Sequence, residues 1–396
     1  MKRTLNLGLS VLITCVAFFS PMAAAANEKP APDQKEMNFA PHATSAILME
    51  ADTGTVLFEK NAHEKLPPAS ITKVMTLLLI MEALDRGEIK LTDKVRTSER
   101  AASMGGSQIF LQPGEEMTVE DMIKGIAIAS GNDASVAMAE HLAGTEEAFV
   151  ARMNERAKQL GMKNTHFVNS NGLPAPNHYS SAMDIAIMSR ELLKHELITK
   201  YTGTYQDYLR KDTDNPFWLV NTNRLVRFYE GVDGLKTGYT SEAKYCLTAT
   251  AKRNNMRVIA VVMGEPDTKT RNAEVATLFT YAFTHFQVQP VYKKGEVVQP
   301  ITVDKGKLPQ VNVITPQAVS LLMKRGESSD HYTREVVLNQ TVNAPISKDQ
   351  VVGHIFIRNK EGKEVSRIDL YPEQSIEKAG MWEILKRTTK HVLIGY

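Results

Sequence analysis

The chain has 396 residues, of which 43% are hydrophobic and 23% are charged. These proportions are ordinary for a globular protein and exclude collagen-like, disordered and coiled-coil chains, while the length predicts two or three domains. The formal net charge of +2 disappears once Lys2 and Arg3 are set aside, because 45 basic residues then face 45 acidic ones. A neutral chain lacks the basic excess that binding to a phosphate backbone requires, so we expect no nucleic acid partner.

Residues 1–26 have the pattern of a secretory signal peptide. Lys2 and Arg3 precede an apolar run at residues 5–19, and four alanines follow at 23–26. The alternative, a transmembrane helix, needs about 20 predominantly apolar residues and would not end in such a cleavage-like site. We therefore expect an exported protein at the outer face of the cytoplasmic membrane, within the cell envelope.

The elements that follow predict an α+β domain. Residues 27–43 carry three prolines and several charges and are interpreted as a flexible leader. Two apolar runs around an Asp/Gly turn, at 45–59, predict a β-hairpin, and Asn254-Asn255 separates a second pair of apolar runs. Apolar spacing over 70–84 predicts a helix. Strands at both ends with helices between them predict an antiparallel sheet flanked by helices over residues 44–288.

The remainder of the chain divides into two segments. Alternating apolar and polar residues between 289 and 374 predict a small all-β domain. Residues 375–396 predict an amphipathic helix on a membrane surface, because helical spacing places apolar residues on one side and basic residues on the other. A terminal helix packed on the protein is the alternative, since Lys378 and Thr389 interrupt the apolar side. That apolar side consists of Met381, Trp382, Leu385, Val392 and Leu393.

Three short motifs occur in order along the chain. They are Ser-Ile-Thr-Lys at 70–73, Ser-Gly-Asn at 130–132 and Lys-Thr-Gly at 236–238. Each one alone is weak evidence, because Ser-x-x-Lys is frequent by chance and Lys-Thr-Gly often forms a turn. Together, in this order, they indicate an acyl-transferring serine enzyme.

The first motif pairs a nucleophile with a base. Ser70 is predicted to lie at the N-terminal turn of a helix, where free N–H groups can stabilise an oxyanion. Lys73 follows one turn later on the same face and lies within reach of the Ser70 hydroxyl. A lysine can take the serine proton if desolvation and a second cation, here Lys236, depress its pKa.

The other two motifs are predicted to bind substrate and move a proton. Ser130 is expected to relay a proton to the leaving amine, and Asn132 to hold the peptide group of the substrate. Lys236 and Thr237 can bind a terminal carboxylate. Gly238 would let an extended peptide approach as an added strand.

With these motifs, the chain resembles the low-molecular-mass penicillin-binding proteins of the serine D-alanyl-D-alanine carboxypeptidase type. The resemblance covers residues 44–288 and continues into the β-rich domain. It departs at Ala243-Lys244, where the family usually has Ala-Gly. The segments that carry it are 67–76, 130–134 and 231–240, with 105–107 and 167–173 in support.

The resemblance implies an activity and its site. The enzyme would remove the terminal D-alanine from peptidoglycan stem pentapeptides through an acyl-enzyme on Ser70, and β-lactams would acylate the same serine. Backbone N–H groups of Ser70 and Tyr239 would form the oxyanion hole. No metal and no organic cofactor is implied.

Two other functions fit parts of the pattern. A β-lactamase would share the motifs, but residues 164–179 contain no Glu or Asp that could activate water against a penicilloyl ester. A non-catalytic penicillin-binding or cell-wall-binding module would have no need of intact Ser70, Lys73, Ser130 and Lys236. We therefore favour the carboxypeptidase.

Overall fold

A computed structural model describes residues 38–383. The predicted signal peptide, residues 27–37 of the predicted leader and residues 384–396 of the predicted terminal helix lie outside this range. Among the described residues, no helix is both long enough and apolar enough to cross a membrane. The α-helices of four or more residues are α1 Lys73–Asp85, α2 Glu99–Ala102, α3 Val119–Ala127, α4 Asn132–Ala143, α5 Glu146–Gln159, α6 Ala182–Leu192, α7 Ile198–Thr202, α8 Leu225–Phe228 and α9 Thr268–His285.

The strands divide into one group before α9 and one group after it. The first group comprises β1 Ser45–Glu50, β2 Val56–Lys60, β3 Lys94–Arg96, β4 Glu116–Thr118, β5 Gln206–Leu209, β6 Phe217–Val220, β7 Val232–Thr240, β8 Lys244–Arg253 and β9 Met256–Glu265. The second group comprises β10 Phe286–Tyr292, β11 Val297–Asp304, β12 Gln310–Ile314, β13 Val319–Lys324, β14 Tyr332–Leu338, β15 Thr341–Asn343, β16 Gly353–Asn359 and β17 Glu364–Pro372.

A five-stranded antiparallel sheet organises the first group, in the order β2-β1-β9-β8-β7. Its central strand β9 is apolar on both faces, as expected for a strand covered on both sides. Ile259 and Val261 face a core shared with α1, α3, α4 and α6, whereas the alternate residues Val258 and Ala260 face a second core shared with α9. The predicted α+β domain with a helix-flanked antiparallel sheet is thus confirmed.

The second group forms an all-β domain, as predicted. A six-stranded sheet has the order β14-β16-β17-β12-β11-β15, and β10 pairs with β13. These strands enclose a third core that includes Val313, Ile355 and Leu370. The Ser320 hydroxyl donates a 3.1 Å hydrogen bond to Asp52 in the β1–β2 turn, so the two groups of strands are joined by a polar contact as well as by the chain.

The predicted terminal helix begins later than residue 375. Ile376 forms an antiparallel bridge with Ile346 and is buried in the third core, and Lys378 is bridged to Gly306. Helical backbone starts only at Met381. Residues 376–380 therefore continue the β domain, and the helix predicted from residue 375 does not include them.

Candidate active site

Ser70 lies on a 3₁₀ turn, Ala69–Thr72, which we call the serine turn; the α-helix predicted to begin with Ser70 starts after this turn, at Lys73. Ala69 has a left-handed φ of 48°, and Gly172 packs against its carbonyl. A Cβ atom at Gly172 would stand 1.8 Å from the Ala69 oxygen. The serine turn is therefore shaped by a glycine that lies far from it in sequence.

The Lys73 side chain is fully buried at the first turn of α1. Its Nζ donates to Ser70 Oγ at 3.1 Å, to Asn132 Oδ1 at 2.6 Å and to the Asn171 carbonyl at 2.6 Å. All three acceptors are neutral. Burial lowers the pKa of Lys73 well below its ordinary value, and the charge of Lys236 lowers it further, against a smaller opposing effect of Asp133. A lysine in this setting can accept the serine proton.

The second motif lies between α3 and α4. Ser130 is buried with a left-handed φ of 66°, and Asn132 opens α4. Asn132 Nδ2 donates to the Gly105 carbonyl at 2.6 Å, and its backbone N–H donates to the Ser107 carbonyl at 2.7 Å. Both ends of the Asn132 amide are thus engaged, one by Lys73 and one by Gly105.

The third motif lies in the middle of β7. Lys236 is fully buried, and burial together with the charge of Arg271 lowers its pKa to about 7. Thr237 Oγ1 donates to Thr222 Oγ1 at 2.8 Å. Because β7 is an edge strand of the sheet, its outer edge can pair with an added chain.

Gly238 packs against the serine turn. A Cβ atom there would stand 3.0 Å from the Pro68 carbonyl and 3.2 Å from the side chains of Ala69 and Ile71. The space that a side chain would fill is therefore occupied by the serine turn. Gly238 permits close packing of β7 on this turn, and only its backbone can bind a peptide.

Two family models match the chain. One, described as D-alanyl-D-alanine carboxypeptidase, matches residues 30–267, and one described as penicillin-binding protein 5, C-terminal domain, matches residues 286–378. The chain belongs to the D-alanyl-D-alanine carboxypeptidase family. The resemblance to this family, which the three motifs carry, is confirmed.

Relatives of the carboxypeptidase family match over nearly the whole chain. D-alanyl-D-alanine carboxypeptidase DacF of Bacillus subtilis (strain 168) is 53% identical over 98% of both chains. DacC of Escherichia coli (strain K12) is 35% identical, over 95% of this chain and 93% of its own. Crystal structures of penicillin binding protein 5 from Haemophilus influenzae match with a TM-score of 0.68 at 32% identity, covering 85% of this chain and 98% of that one.

The carboxypeptidase site also contains groups that the motifs do not name. His178 Nε2 lies 2.8 Å from Thr72 Oγ1, and its Nδ1 accepts from the Val168 N–H at 3.0 Å, so the Nε2 proton of the neutral ring points at Thr72. Burial lowers the pKa of His178 to about 4, which keeps the ring neutral. His178 thereby ties the loop at 164–179 to the serine turn. None of the three motifs contains His178.

Arg271 of α9 is the second such group. It is buried, and its charge helps to lower the pKa of Lys236. No motif contains it, since it comes from a helix on the other side of the sheet. Within residues 38–383, no cluster of three or more His, Cys, Asp or Glu side chains is arranged to hold a metal ion.

Proposed function

We propose that this serine-type D-alanyl-D-alanine carboxypeptidase uses Ser70 as its nucleophile and removes the terminal D-alanine from peptidoglycan stem pentapeptides. The observation that carries the assignment is the 3.1 Å contact between Lys73 Nζ and Ser70 Oγ inside a buried cluster of neutral acceptors. A serine becomes nucleophilic only when a neighbouring base takes its proton. Lys73, with its lowered pKa, is that base.

Acylation of Ser70 and hydrolysis of the acyl-enzyme follow from these positions. Neutral Lys73 accepts the Ser70 proton while Oγ attacks the carbonyl carbon of the scissile peptide bond. The resulting oxyanion accepts hydrogen bonds from the backbone N–H groups of Ser70 and Tyr239. Lys73 returns the Ser70 proton by way of Ser130, which protonates the D-alanine nitrogen and is itself reprotonated; the C–N bond breaks, and D-alanine leaves. Water then hydrolyses the ester and restores the Ser70 hydroxyl.

The substrate binds along the free edge of β7. Lys236 and Thr237 receive its terminal carboxylate, and the backbone of Gly238 and Tyr239 pairs with the extended peptide. Asn132 holds the substrate amide by exchanging one of its present contacts, since both ends of its own amide are engaged. We also propose that β-lactams acylate Ser70 from the same position.

The assignment of Ser70 is tested by Ser70→Ala, with Ser328→Ala as the matched control on an exposed serine of the β domain. The assays are release of D-alanine from a pentapeptide and covalent labelling by a fluorescent penicillin. Ser70→Ala is expected to lose both while keeping its thermal transition, and the control is expected to keep both. Penicillin labelling of Ser70→Ala would show that the nucleophile is another residue.

A slow release of penicillin separates this function from a β-lactamase. The loop at 164–179 reaches the site, since its Asn171 carbonyl binds Lys73 and its Gly172 packs on Ala69, yet it holds no carboxylate. No carboxylate from this loop can therefore activate water beside a penicilloyl ester, which we expect to persist. Following the labelled adduct over time tests this, and its disappearance within seconds with penicillin turnover would favour the lactamase.

We further propose how the enzyme is arranged in the cell envelope. Residues 1–26 direct export, residues 44–288 form the catalytic domain, and residues 289–374 form the β domain. The segment beyond Gly380 binds the membrane surface. In support, Met381 and Trp382 are 85% and 75% exposed, as expected for apolar side chains that enter a lipid interface.

A further inference from the structure

We propose that Arg210, a residue outside the three motifs, is a positioning residue for Asn132. It acts through the loop at 105–111, which we call the Phe110 loop. This loop holds the Asn132 amide so that its oxygen contacts Lys73 and its nitrogen can donate to the substrate. The inference rests on the proposed function and adds to its site a residue of the hairpin formed by β5 and β6.

The Phe110 loop holds Asn132 by two backbone carbonyls. The Gly105 carbonyl accepts from Asn132 Nδ2 at 2.6 Å, and the Ser107 carbonyl accepts from the Asn132 backbone N–H at 2.7 Å. The other end of the same amide, Oδ1, accepts from Lys73 Nζ at 2.6 Å. A displacement of the loop therefore moves the amide that contacts the proposed base.

The Phe110 loop adopts a backbone conformation that its own sequence does not favour. Phe110 has a left-handed φ of 58°, and its side chain is 60% exposed. Left-handed backbone is unfavourable for a bulky residue, and a ring that stays this exposed gains little from burial in return. Contacts from outside the loop must therefore maintain its conformation.

Two charged side chains bind the backbone around Phe110. Asp133 of α4 accepts from the Ile109 N–H at 3.0 Å and from the Leu111 N–H at 3.1 Å. Arg210 donates from Nη1 to the Ile109 carbonyl at 3.1 Å and from Nη2 to the Phe110 carbonyl at 3.4 Å. The carboxylate thus binds the donors of this backbone and the guanidinium binds its acceptors, and together they hold the left-handed turn.

Arg210 is itself fixed by an ion pair and by the strand that carries it. Its guanidinium donates to both carboxylate oxygens of Glu115, at 2.6 and 3.1 Å, and the two side chains are only 17% and 22% exposed. Leu209, the preceding residue and the last of β5, is fully buried in the core that the sheet shares with α1. Because a bidentate guanidinium pair has a fixed geometry, Arg210 can impose its position on the Phe110 loop.

The same hairpin also reaches the third motif. Phe217 of β6 packs against Phe110 with the ring centroids 5.6 Å apart. Thr222, two residues after β6, accepts a hydrogen bond from Thr237 Oγ1 at 2.8 Å. The hairpin therefore contacts the site at the Phe110 loop and at β7.

The test is a double-mutant cycle between Arg210 and Asn132. Arg210→Met removes the guanidinium, and Asn132→Ala removes the amide through which we propose that it acts. The measurements are the rate of covalent labelling by a fluorescent penicillin and kcat/KM for D-alanine release. With Asn132 intact, we expect Arg210→Met to reduce both by about tenfold or more, because small displacements of positioned groups have effects of this size. In the Asn132→Ala background the same substitution should change them by less than about twofold.

Arg156→Met is the matched control. Arg156 is 22% exposed and also binds carboxylates, those of Glu82 in α1 and Glu191 in α6, which do not belong to the Phe110 loop. This variant is expected to lower the thermal transition but to keep the wild-type labelling rate. The cycle is repeated with Arg210→Lys, which keeps the charge without the bidentate geometry and serves if Arg210→Met does not fold. It should show the same dependence on Asn132 with a smaller loss of rate.

The outcomes separate this inference from the proposed function. Equal slowing by the Arg210 variants in both backgrounds, or no slowing in either, would overturn the positioning role while leaving the carboxypeptidase intact. Slowing by Arg156→Met as large as that by Arg210→Met would also overturn it, because lost stability would then explain both. If the wild type neither releases D-alanine nor is labelled, the proposed function itself fails. Slowing that requires an intact Asn132 supports the inference.

Discussion

At the scale of single residues, the proposed base Lys73 is a buried lysine whose hydrogen-bond partners carry no negative charge. Lys73 donates to a hydroxyl, an amide and a carbonyl, and none of these stabilises the ammonium as a carboxylate would. The Lys236 charge also opposes protonation of Lys73, so the pKa of Lys73 lies well below its ordinary value. These surroundings are the reason we propose Lys73 as the general base.

Removing this base should slow acylation strongly. Lys73→Ala is expected to reduce the rate of covalent penicillin labelling by about 10²–10⁴-fold, the usual contribution of a positioned general base. Stopped-flow measurement with a fluorescent penicillin checks this rate, with circular dichroism to establish that the fold is kept. A rate within threefold of the wild type would mean that another group takes the Ser70 proton.

The pH dependence of the enzyme should report Lys236. The pKa of Lys236 is lowered to about 7, so its positive charge is present below that pH and lost as the pH rises through it. Since we propose that this charge binds the substrate carboxylate, kcat/KM should fall above a pH of about 7 in the free enzyme. Lys236→Arg keeps its charge throughout, because guanidinium does not titrate in this range, and should lose the alkaline fall even if its maximum rate is lower. An unchanged alkaline limb in this variant would exclude Lys236 as its source.

At the scale of elements, the serine turn depends on Gly172 from the opposite loop. Gly172→Ala would place a Cβ atom 1.8 Å from the Ala69 carbonyl and must displace the serine turn. We expect penicillin labelling to slow at least tenfold. Gly144→Ala is the matched control, since Gly144 also has a positive φ but has no atom within 4 Å of an added Cβ. The control should lose about 1 kcal/mol of stability through backbone strain and keep the wild-type labelling rate. Equal labelling rates in both variants would contradict this dependence.

The end of β9 carries a buried carboxyl group that makes folding sensitive to pH. Both oxygens of Glu265 are buried without a hydrogen-bond partner among the described residues. Burial, with the nearby Glu274 carboxylate, raises the pKa of Glu265 to about 8. The folded state therefore holds a proton that the unfolded state loses at the ordinary pKa of 4.5, and stability should decrease as the pH rises from about 4.5 to 8.

Glu265→Gln should remove this decrease. The variant is expected to unfold at a higher temperature than the wild type at pH 9, whereas Glu364→Gln, at an exposed site on β17, should show no difference. Thermal unfolding across pH 5–9 measures the effect. If the wild type and Glu265→Gln have parallel pH profiles, the carboxyl group is not the cause.

The sequence predicted the elements that depend on local patterns. Both hairpins follow from apolar runs around turn residues, and α1 follows from the apolar spacing over 70–84. What it did not predict are contacts between distant segments, such as Gly238 packed on the serine turn. The second contact of this kind is the hydrogen bond between His178 and Thr72. The charge of Arg271, which lowers the pKa of Lys236, is a third effect between distant segments. These interactions form only when the sheet brings distant segments together, so the spacing of residues along the chain does not predict them.

At the scale of the whole molecule, Ile376 is part of the β domain, and the proposed membrane segment begins after it. Truncation after Glu383 removes residues 384–396 and keeps Ile376 in the third core. We expect the truncated protein to move from the membrane fraction to the soluble fraction, with unchanged release of D-alanine from a soluble peptide. Sedimentation with anionic lipid vesicles measures this. An unchanged distribution would show that the segment is not the anchor.

The pairing of β1 with β9 has a consequence for how the chain folds during its synthesis. Ile47 is paired with Val261, so the first strand of the sheet is made long before its neighbour. Until β9 emerges, β1 and β2 can form only an isolated hairpin, which is marginally stable in water. The central sheet therefore closes late, and pairings between such distant segments are slow to form. A chain of this topology stays open to translocation machinery and chaperones until almost all of its catalytic residues have been made.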